Sequence, residues 1–472
     1  MKRKYHILSI IISAALLAGC LSACGESGTA TGGSSSDENT AAAVTTPDTT
    51  ADVEAPDVSG ATTITLSGQS ATATGTGAEV TDGVVTITAG GTYVVTGTMT
   101  EGRILVNAPK EEVTLVLQDA AITCSTGSPL YVYKSKATTL YLPEGTDSTL
   151  TDGTDYTFSD SYSSAEEEEP NACLYSKSDL VIAGSGSLTV NANYNNGITG
   201  KDTLFIQKAS VTVTAVNHGI NGKDSLTIKD ADITVTSGGD ALRSTNDSDP
   251  TLGYLVITGS ALKLTAGEDG IQAETTLTIS GGTATVTTAG GAGQSISDDT
   301  SAKGLKAGTQ VTVTGGTFQL NCCDDAIHSN GDGTIDCDGS ATITGGIVVA
   351  AGSTGMAENF GTASTQGSIL VNLSGSAGQT ITLKDSDGNI LASFTPAKAF
   401  GCVVVSAPGV AQGGTYTIAA GGASTTVTME SLIYGSGMGG FGGMGGGMGG
   451  PGNIGGGQQP PQGGMGGPDN RG

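Results

Sequence analysis

Asn196-Gly197-Ile198, His218-Gly219-Ile220, Asp240-Ala241-Leu242, Asp269-Gly270-Ile271, Lys303-Gly304-Leu305 and Asp325-Ala326-Ile327 are six versions of one tripeptide pattern. Their apolar last members fall at 198, 220, 242, 271, 305 and 327. Three of the five intervals are therefore 22 residues, and the other two, 29 and 34, are the same period with insertions of 7 and 12. A fixed period with a few longer members marks a stack of similar units whose insertions lie on one edge. Each period holds short alternating runs, such as Leu226-Thr227-Ile228 and Ile233-Thr234-Val235. Alternation of this kind turns one face of a strand inward. Three short strands with their turns fit one such period. The expected fold is all-β: a right-handed, single-stranded parallel β-helix with rungs of about 22 residues, capped at its C-terminal end by antiparallel hairpins.

Outside the repeat the composition supports an all-β chain. Of 472 residues, 76 are Gly and none is Trp. Thr and Val favour strands, and Gly, Asn and Asp supply turns. The formal net charge of −26 repels nucleic acid and anionic membrane, and it suits cations, calcium above all.

The ends read differently. Met1 to Lys4 is basic and Ile7 to Leu17 is apolar, too short to span a membrane. Leu17-Ala18-Gly19-Cys20 and Leu21-Ser22-Ala23-Cys24 both resemble the bacterial lipoprotein cleavage site. Cys24 is preferred for lipidation, with Cys20 as the alternative, because a Gly- and Ser-rich stretch starts directly after it. The expected organisation is a lipoprotein signal peptide over 1–23, a disordered Ser/Thr-rich tether over 24–58, the parallel β-helix over 59–355, a β cap over 356–434 and a disordered Gly/Met-rich tail over 435–472. Asp387-Gly388 between two apolar runs is the hairpin signal in the cap. The remaining cysteines show no zinc spacing.

Stacking aligns equivalent residues into columns about 4.8 Å apart. The position two before each anchor reads Asn196, His218, Asp240, Asp269, Lys303, Asp325. Asp240 and Asp269 are adjacent in it, close enough for one calcium ion between them. Asn246, Asp247 and Asp249 lie in the first insertion, Asp298-Asp299 lie in the second, and Asp324 adjoins Asp325. Carboxylates and amides without paired His or Cys are hard-oxygen ligands, which favours calcium over zinc. The competing reading is structural, because Asn-Gly and Asp-Gly are what tight turns require. Lys223, Arg243, Lys303 and Lys306 are candidates for a base or a carboxylate clamp; Lys201 and Lys223 equally suit ion pairing between rungs with Asp202 and Asp224. The acidic run Glu166 to Glu169 reads as a solvated loop or a cation-binding one. Tyr131, Tyr133, Tyr141, Tyr156, Tyr162, Tyr175 and Tyr194 could stack on sugar rings or simply cover the coil.

Several longer motifs carry a resemblance. They include Gly91-Thr92-Tyr93-Val94-Val95-Thr96-Gly97, Glu169-Pro170-Asn171-Ala172, Asn193-Tyr194-Asn195-Asn196-Gly197-Ile198 and His218-Gly219-Ile220-Asn221-Gly222-Lys223-Asp224. Asp269-Gly270-Ile271-Gln272-Ala273-Glu274, Asp324-Asp325-Ala326-Ile327-His328-Ser329 and Gly355-Met356-Ala357-Glu358-Asn359-Phe360 continue it. Over about residues 62 to 434 the chain resembles the clostridial-type cell-surface lipoproteins with a carbohydrate-binding domain. The resemblance implies a right-handed β-helix similar to pectate lyases, calcium binding, and adherence to cellulose-like and acidic plant polysaccharides. It places the calcium role on Asp240, Asp247, Asp249, Asp269, Asp324 and Asp325. The resulting expectation is a monomeric, non-catalytic polysaccharide-binding protein, lipid-anchored on the outer face of the bacterial membrane. The alternatives are a calcium-dependent polysaccharide lyase of the pectate lyase type and a structural adhesin for a protein partner.

Overall fold

The computed structural model describes residues 51–290, 301–323, 327–329, 341–352 and 359–435. The period appears in it as register. Ile198 lies beside Ile220, Ile220 beside Leu242, Leu242 beside Ile271, Ile271 beside Leu305 and Leu305 beside Ile327, each pair parallel. These strands belong to an eleven-stranded sheet that runs in chain order from Ala78–Thr81 to Ile327–Ser329. Insertions of 7 and 12 residues leave the register intact because they fall between strands. The anchors Ile198, Ile220, Leu242, Ile271 and Leu305 are fully buried in one core with Leu226, Ile228, Ile233 and Val235.

The second sheet corrects the expected architecture. It holds 21 strands, and its parallel pairings close on themselves. From Glu112–Cys124 the hydrogen bonding passes through Ala137–Tyr141, Asp179–Ala183, Thr203–Gln207, Ser225–Lys229 and Tyr254–Thr258 to Thr276–Thr288. It returns through Ala261–Ala266, Asp232–Ser237, Ser210–Ala215, Ser187–Ala192 and Asp147–Asp152 to Glu112–Cys124. The result is a closed ring of twelve parallel strands, a barrel-like sheet in place of the single-stranded right-handed β-helix read from the period. The physical reason lies in the two strands that close it, each 13 residues long. In most periods a turn separates two short strands. In Thr276–Thr288 the chain instead bends through Gly281 (φ 97°) and Gly282 (φ 82°) and keeps pairing on both sides. In Glu112–Cys124 the bend sits at Asp119 (φ 53°). Positive φ suits Gly and is tolerated by Asp, so one strand serves two runs. A sequence period fixes register and says nothing of closure.

Two further regions frame the sheets. Ile381–Lys384, Ile390–Phe394, Thr415–Ala420 and Ala423–Thr428 form an antiparallel four-stranded sheet over a second core. At the other end, Asp52 lies on the flank of the large sheet. Its carboxylate accepts hydrogen bonds from Gln207 Nε2 (2.9 Å), Lys208 Nζ (2.6 Å) and Lys229 Nζ (3.1 Å).

Candidate functional site on the outer face of the eleven-stranded sheet

Strands of three to five residues alternate so that the anchors point inside and the next residue outside. The outward column of the eleven-stranded sheet reads, in register, Leu105, Tyr131, Tyr175, Thr199, Asn221, Arg243, Gln272 and Lys306. It changes character along its length. Leu105, Tyr131 and Tyr175 are fully buried in a small cluster outside the main core, with Val84, Tyr133 and Tyr162 packed against it. From Thr199 onward the column is polar.

The aromatic end is closed by the segment from 153 to 171. Tyr131 donates a hydrogen bond to the Tyr162 carbonyl (2.7 Å), and the rings of Tyr131, Tyr133, Tyr162 and Tyr175 meet edge to face. Tyr156 stacks on Tyr194 at 4.2 Å and 14°. These tyrosines therefore cover the chain and one another. Glu169 fastens the segment: its side chain is 8% exposed and meets Lys177 at 2.6 Å and Lys201 at 2.5 Å. Burial raises the Glu169 pKa, but hydrogen bonds from Lys177, Lys201 and Tyr175 and the Lys201 charge outweigh it and bring it down to about 2. Of the acidic run, Glu166 to Glu168 are exposed and Glu169 is buried. Lys201 thus finds its carboxylate in this segment, while Asp224 accepts from Asn246 Nδ2 at 2.6 Å.

Beside the polar half stands the column that holds Asp240 and Asp269. Its side chains form a relay to the backbone of the next repeat. Asn196 Oδ1 accepts the His218 N–H (3.2 Å), His218 Nδ1 accepts the Asp240 N–H (3.0 Å), Asp240 Oδ1 accepts the Asp269 N–H (3.0 Å) and Asp269 Oδ1 accepts the Lys303 N–H (2.8 Å). Asn, His and Asp recur at this position because each offers an acceptor at the right reach. Buried backbone donors need such partners.

The same carboxylates are also charge-compensated. Asp269, 1% exposed, takes a hydrogen bond from Ser301 Oγ (2.7 Å) and pairs with Lys306 Nζ at 2.8 Å. Asp240 lies 3.3 Å from His218 Nδ1 and 3.5 Å from Arg243 Nη1. Burial pushes the Asp240 pKa up, and the His218 contact and the Arg243 charge overcome this, so the net shift is downward. Glu268 is raised, first by burial and then by the Asp240 charge.

Donor atoms of His218, Asp240 and Glu268 converge within 4.8 Å. Calcium wants six to eight oxygen ligands. Here one donor is a nitrogen already bonded to the backbone, and Arg243 and Lys306 already hold the positive charge beside Asp240 and Asp269. These residues do not fit calcium as they stand. Asp249 is exposed and spends Oδ1 on Thr251 N (2.9 Å) and Oγ1 (2.7 Å), a turn-forming arrangement; Asp247 is exposed. Asp324, Asp325, Asp298 and Asp299 lie outside the described residues, as do Cys20 and Cys24.

Arg243 is under-satisfied. His218 Nε2 lies 2.8 Å from its Nη1. Arg243 Nε is buried without a hydrogen-bond partner among the described residues, and so is Thr199 Oγ1 in the same outward column. Sequence reading missed Thr199, Asn221 and Gln272. The signal was present one residue after each anchor.

Residues 81–357, more than half of the chain, match the family model described as carbohydrate-binding domain-containing protein. The chain belongs to that family. A carbohydrate-binding domain-containing protein of Acetivibrio thermocellus is 40% identical over 204 residues, which are 43% of this chain and 70% of the relative. The chain is also similar to a solved structure described as the polysaccharide lyase-like protein from C. thermocellum, gadolinium derivative. That likeness has 35% identity, covers 49% of this chain and 92% of the other, and has a TM-score of 0.47.

Proposed function

We propose that this family member binds polysaccharide, without cleaving it, along the polar half of the outward column from Thr199 to Lys306. The observation that carries the reading is the in-register series Thr199, Asn221, Arg243, Gln272 and Lys306, with Thr199 Oγ1 and Arg243 Nε left unpartnered. Hydroxyl, amide, guanidinium and ammonium groups repeated at strand spacing match a polymer whose hydroxyls also repeat. Buried polar groups without partners make a hydroxyl that supplies one worth more than a solvated contact. The cellulose-like and the acidic plant polysaccharides are both within the proposal, since the N–H donors of Arg243 and Lys306 that their ion pairs leave over can be given to a hydroxyl or a carboxylate.

Catalysis is left out because the cations of the column are already committed. Arg243 and Lys306 contact Asp240 and Asp269, and a lyase needs a base near the proton it removes. Calcium is left out of the binding step, because Asp240 and Asp269 offer it no cage. Display on the outer membrane face through lipidated Cys24 or Cys20, as a monomer, completes the proposal.

The test is retention on pectin and on cellulose, with and without chelator, with released unsaturated uronides assayed in parallel. The reading expects retention that survives chelation and no uronide. Uronide release over a range of alkaline pH would replace it with the lyase reading, and retention abolished by chelation would restore calcium to the binding step.

A further inference from the structure

The large sheet carries a second surface of regular chemistry, built from residues other than those of the column described above. In the strands Ser187–Ala192, Ser210–Ala215, Asp232–Ser237, Ala261–Ala266 and Thr276–Thr288 the outward residues line up in columns without a shift of register. One column reads Thr189, Thr212, Thr234, Lys263, Thr285; the next reads Asn191, Thr214, Thr236, Thr265, Thr287. Thr212, Thr214, Thr236, Thr265 and Thr285 are exposed. None of these five hydroxyls has a protein partner among the described residues. The second column passes on to Asn321, 1% exposed, whose amide oxygen and nitrogen both lack hydrogen-bond partners among the described residues.

Three properties separate this face from an ordinary strand surface. The first is charge. The chain has 45 acidic residues and a net charge of −26, yet the two columns carry one charged side chain, Lys263. The second is regularity: the insertions of 7 and 12 residues that interrupt the period fall outside these strands. The third is that no aromatic ring stands in either column, so a single sugar ring has nothing to stack on. Each exposed hydroxyl offers only a weak contact. Such contacts become useful when a partner repeats in step and engages many at once. The hydroxyls recur about every 4.8 Å across the strands and about 6.6 Å along them.

We propose that this threonine face is a second binding surface, for neutral polysaccharide chains packed side by side in an ordered, insoluble array. The proposal rests on the carbohydrate-binding reading but uses different residues. A surface mostly of hydroxyls, with Lys263 its one charge, leaves little charge to desolvate against an uncharged partner. The outward column from Thr199 to Lys306 takes a single soluble chain; the threonine face holds the aggregate.

The test compares the wild type with the triple variant Thr214→Val, Thr236→Val, Thr265→Val, which keeps side-chain shape and β-propensity while removing three hydroxyls. The triple variant to Ser, which keeps the hydroxyls, is the control. Retention is measured on microcrystalline cellulose, and soluble binding by affinity electrophoresis in pectin and xyloglucan. The proposal expects the Val variant to be retained about tenfold less or weaker still, the Ser variant to be retained, and soluble binding to be unchanged in both. Equal retention of the Val variant and the wild type overturns it. A wild type that binds soluble glycan but is not retained on cellulose overturns this proposal alone; a wild type that does neither overturns the functional reading as well. Ice shaping lost in the Val variant, without retention on cellulose, would assign the face to ice and overturn it too.

Discussion

The two halves of one outward column differ in how the chain satisfies them. From Leu105 to Tyr175 the protein covers its own surface, with aromatic rings held down by the segment from 153 to 171 and fastened by Glu169. From Thr199 to Lys306 the equivalent positions are polar, and two polar atoms, Thr199 Oγ1 and Arg243 Nε, have no partner among the described residues. The strands, spacing and register are the same in both halves. What differs is what fills the face: aromatic rings in one half, and in the other a buried Thr199 and Asn221 followed by the half-buried Arg243, Gln272 and Lys306. The difference teaches that a repeat supplies positions, and that the excursions between repeats decide which positions are left for a ligand.

The largest expected effect breaks the ion pairing of the polar half. Asp269→Asn keeps an oxygen for the Lys303 N–H but removes the charge beside Lys306, whose side chain is 15% exposed. A cation left buried without its partner costs about 3 kcal/mol. Urea unfolding of the variant against the wild type measures it, and a loss under 1 kcal/mol would show that Lys306 reaches solvent easily.

Glu169→Gln attacks the closed half. It should cost about 2 kcal/mol, less than Asp269→Asn because Lys177 and Lys201 are partly exposed. It should also make the tyrosine cluster accessible to quenchers. The wild-type contribution depends on pH with a definite sign. The folded pKa of about 2 lies below the ordinary 4.5, so the stabilisation is full above pH 4.5 and is lost as pH falls from there through 2. Glu169→Gln should remove that part of the acid sensitivity.

The period was legible because its anchors are large, apolar and bound to a fixed spacing: Ile198, Ile220, Leu242, Ile271 and Leu305 can be nothing but core. The acceptor column was legible as a column and ambiguous in its chemistry. Asp240 and Asp269 look like cation ligands on paper. Their role as acceptors for the next repeat depends on a backbone distance that no residue type announces. Closure of the large sheet was illegible for a similar reason, since Gly281-Gly282 reads as a turn that ends a strand, whereas the chain bends there and continues pairing. The outward column was available in Thr199, Asn221, Arg243, Gln272 and Lys306, one residue past each anchor. Their mixed chemistry disguised a shared position. Glu169 was hidden among Glu166 to Glu168, because only the fold separates a buried carboxylate from three solvated ones.

The smallest expected stability effect sharpens the comparison at the boundary between the halves. Asp202 has its pKa raised from 3.8 to about 6, first by burial and then by the Asp179 and Asp224 charges. An acid raised on folding opposes stability above its folded pKa and is neutral in effect below its unfolded one. Asp202→Asn should therefore stabilise the protein by about 1 kcal/mol at pH 7, after allowance for solvent screening, and by nothing near pH 3.5. Thermal melts at the two pH values read the difference. A gain of equal size at both would mean that the charge is not its cause.

The polar half of the outward column is best tested on residues outside its ion pairs. Asn221 and Gln272 occupy neighbouring positions on either side of Arg243 and make no ion pair. The decisive measurement is the affinity of the Asn221→Ala, Gln272→Ala double variant for soluble pectin and xyloglucan, beside a urea titration confirming that it is folded. The account predicts binding weaker by about tenfold or more in a folded variant; unchanged affinity for both glycans would contradict it.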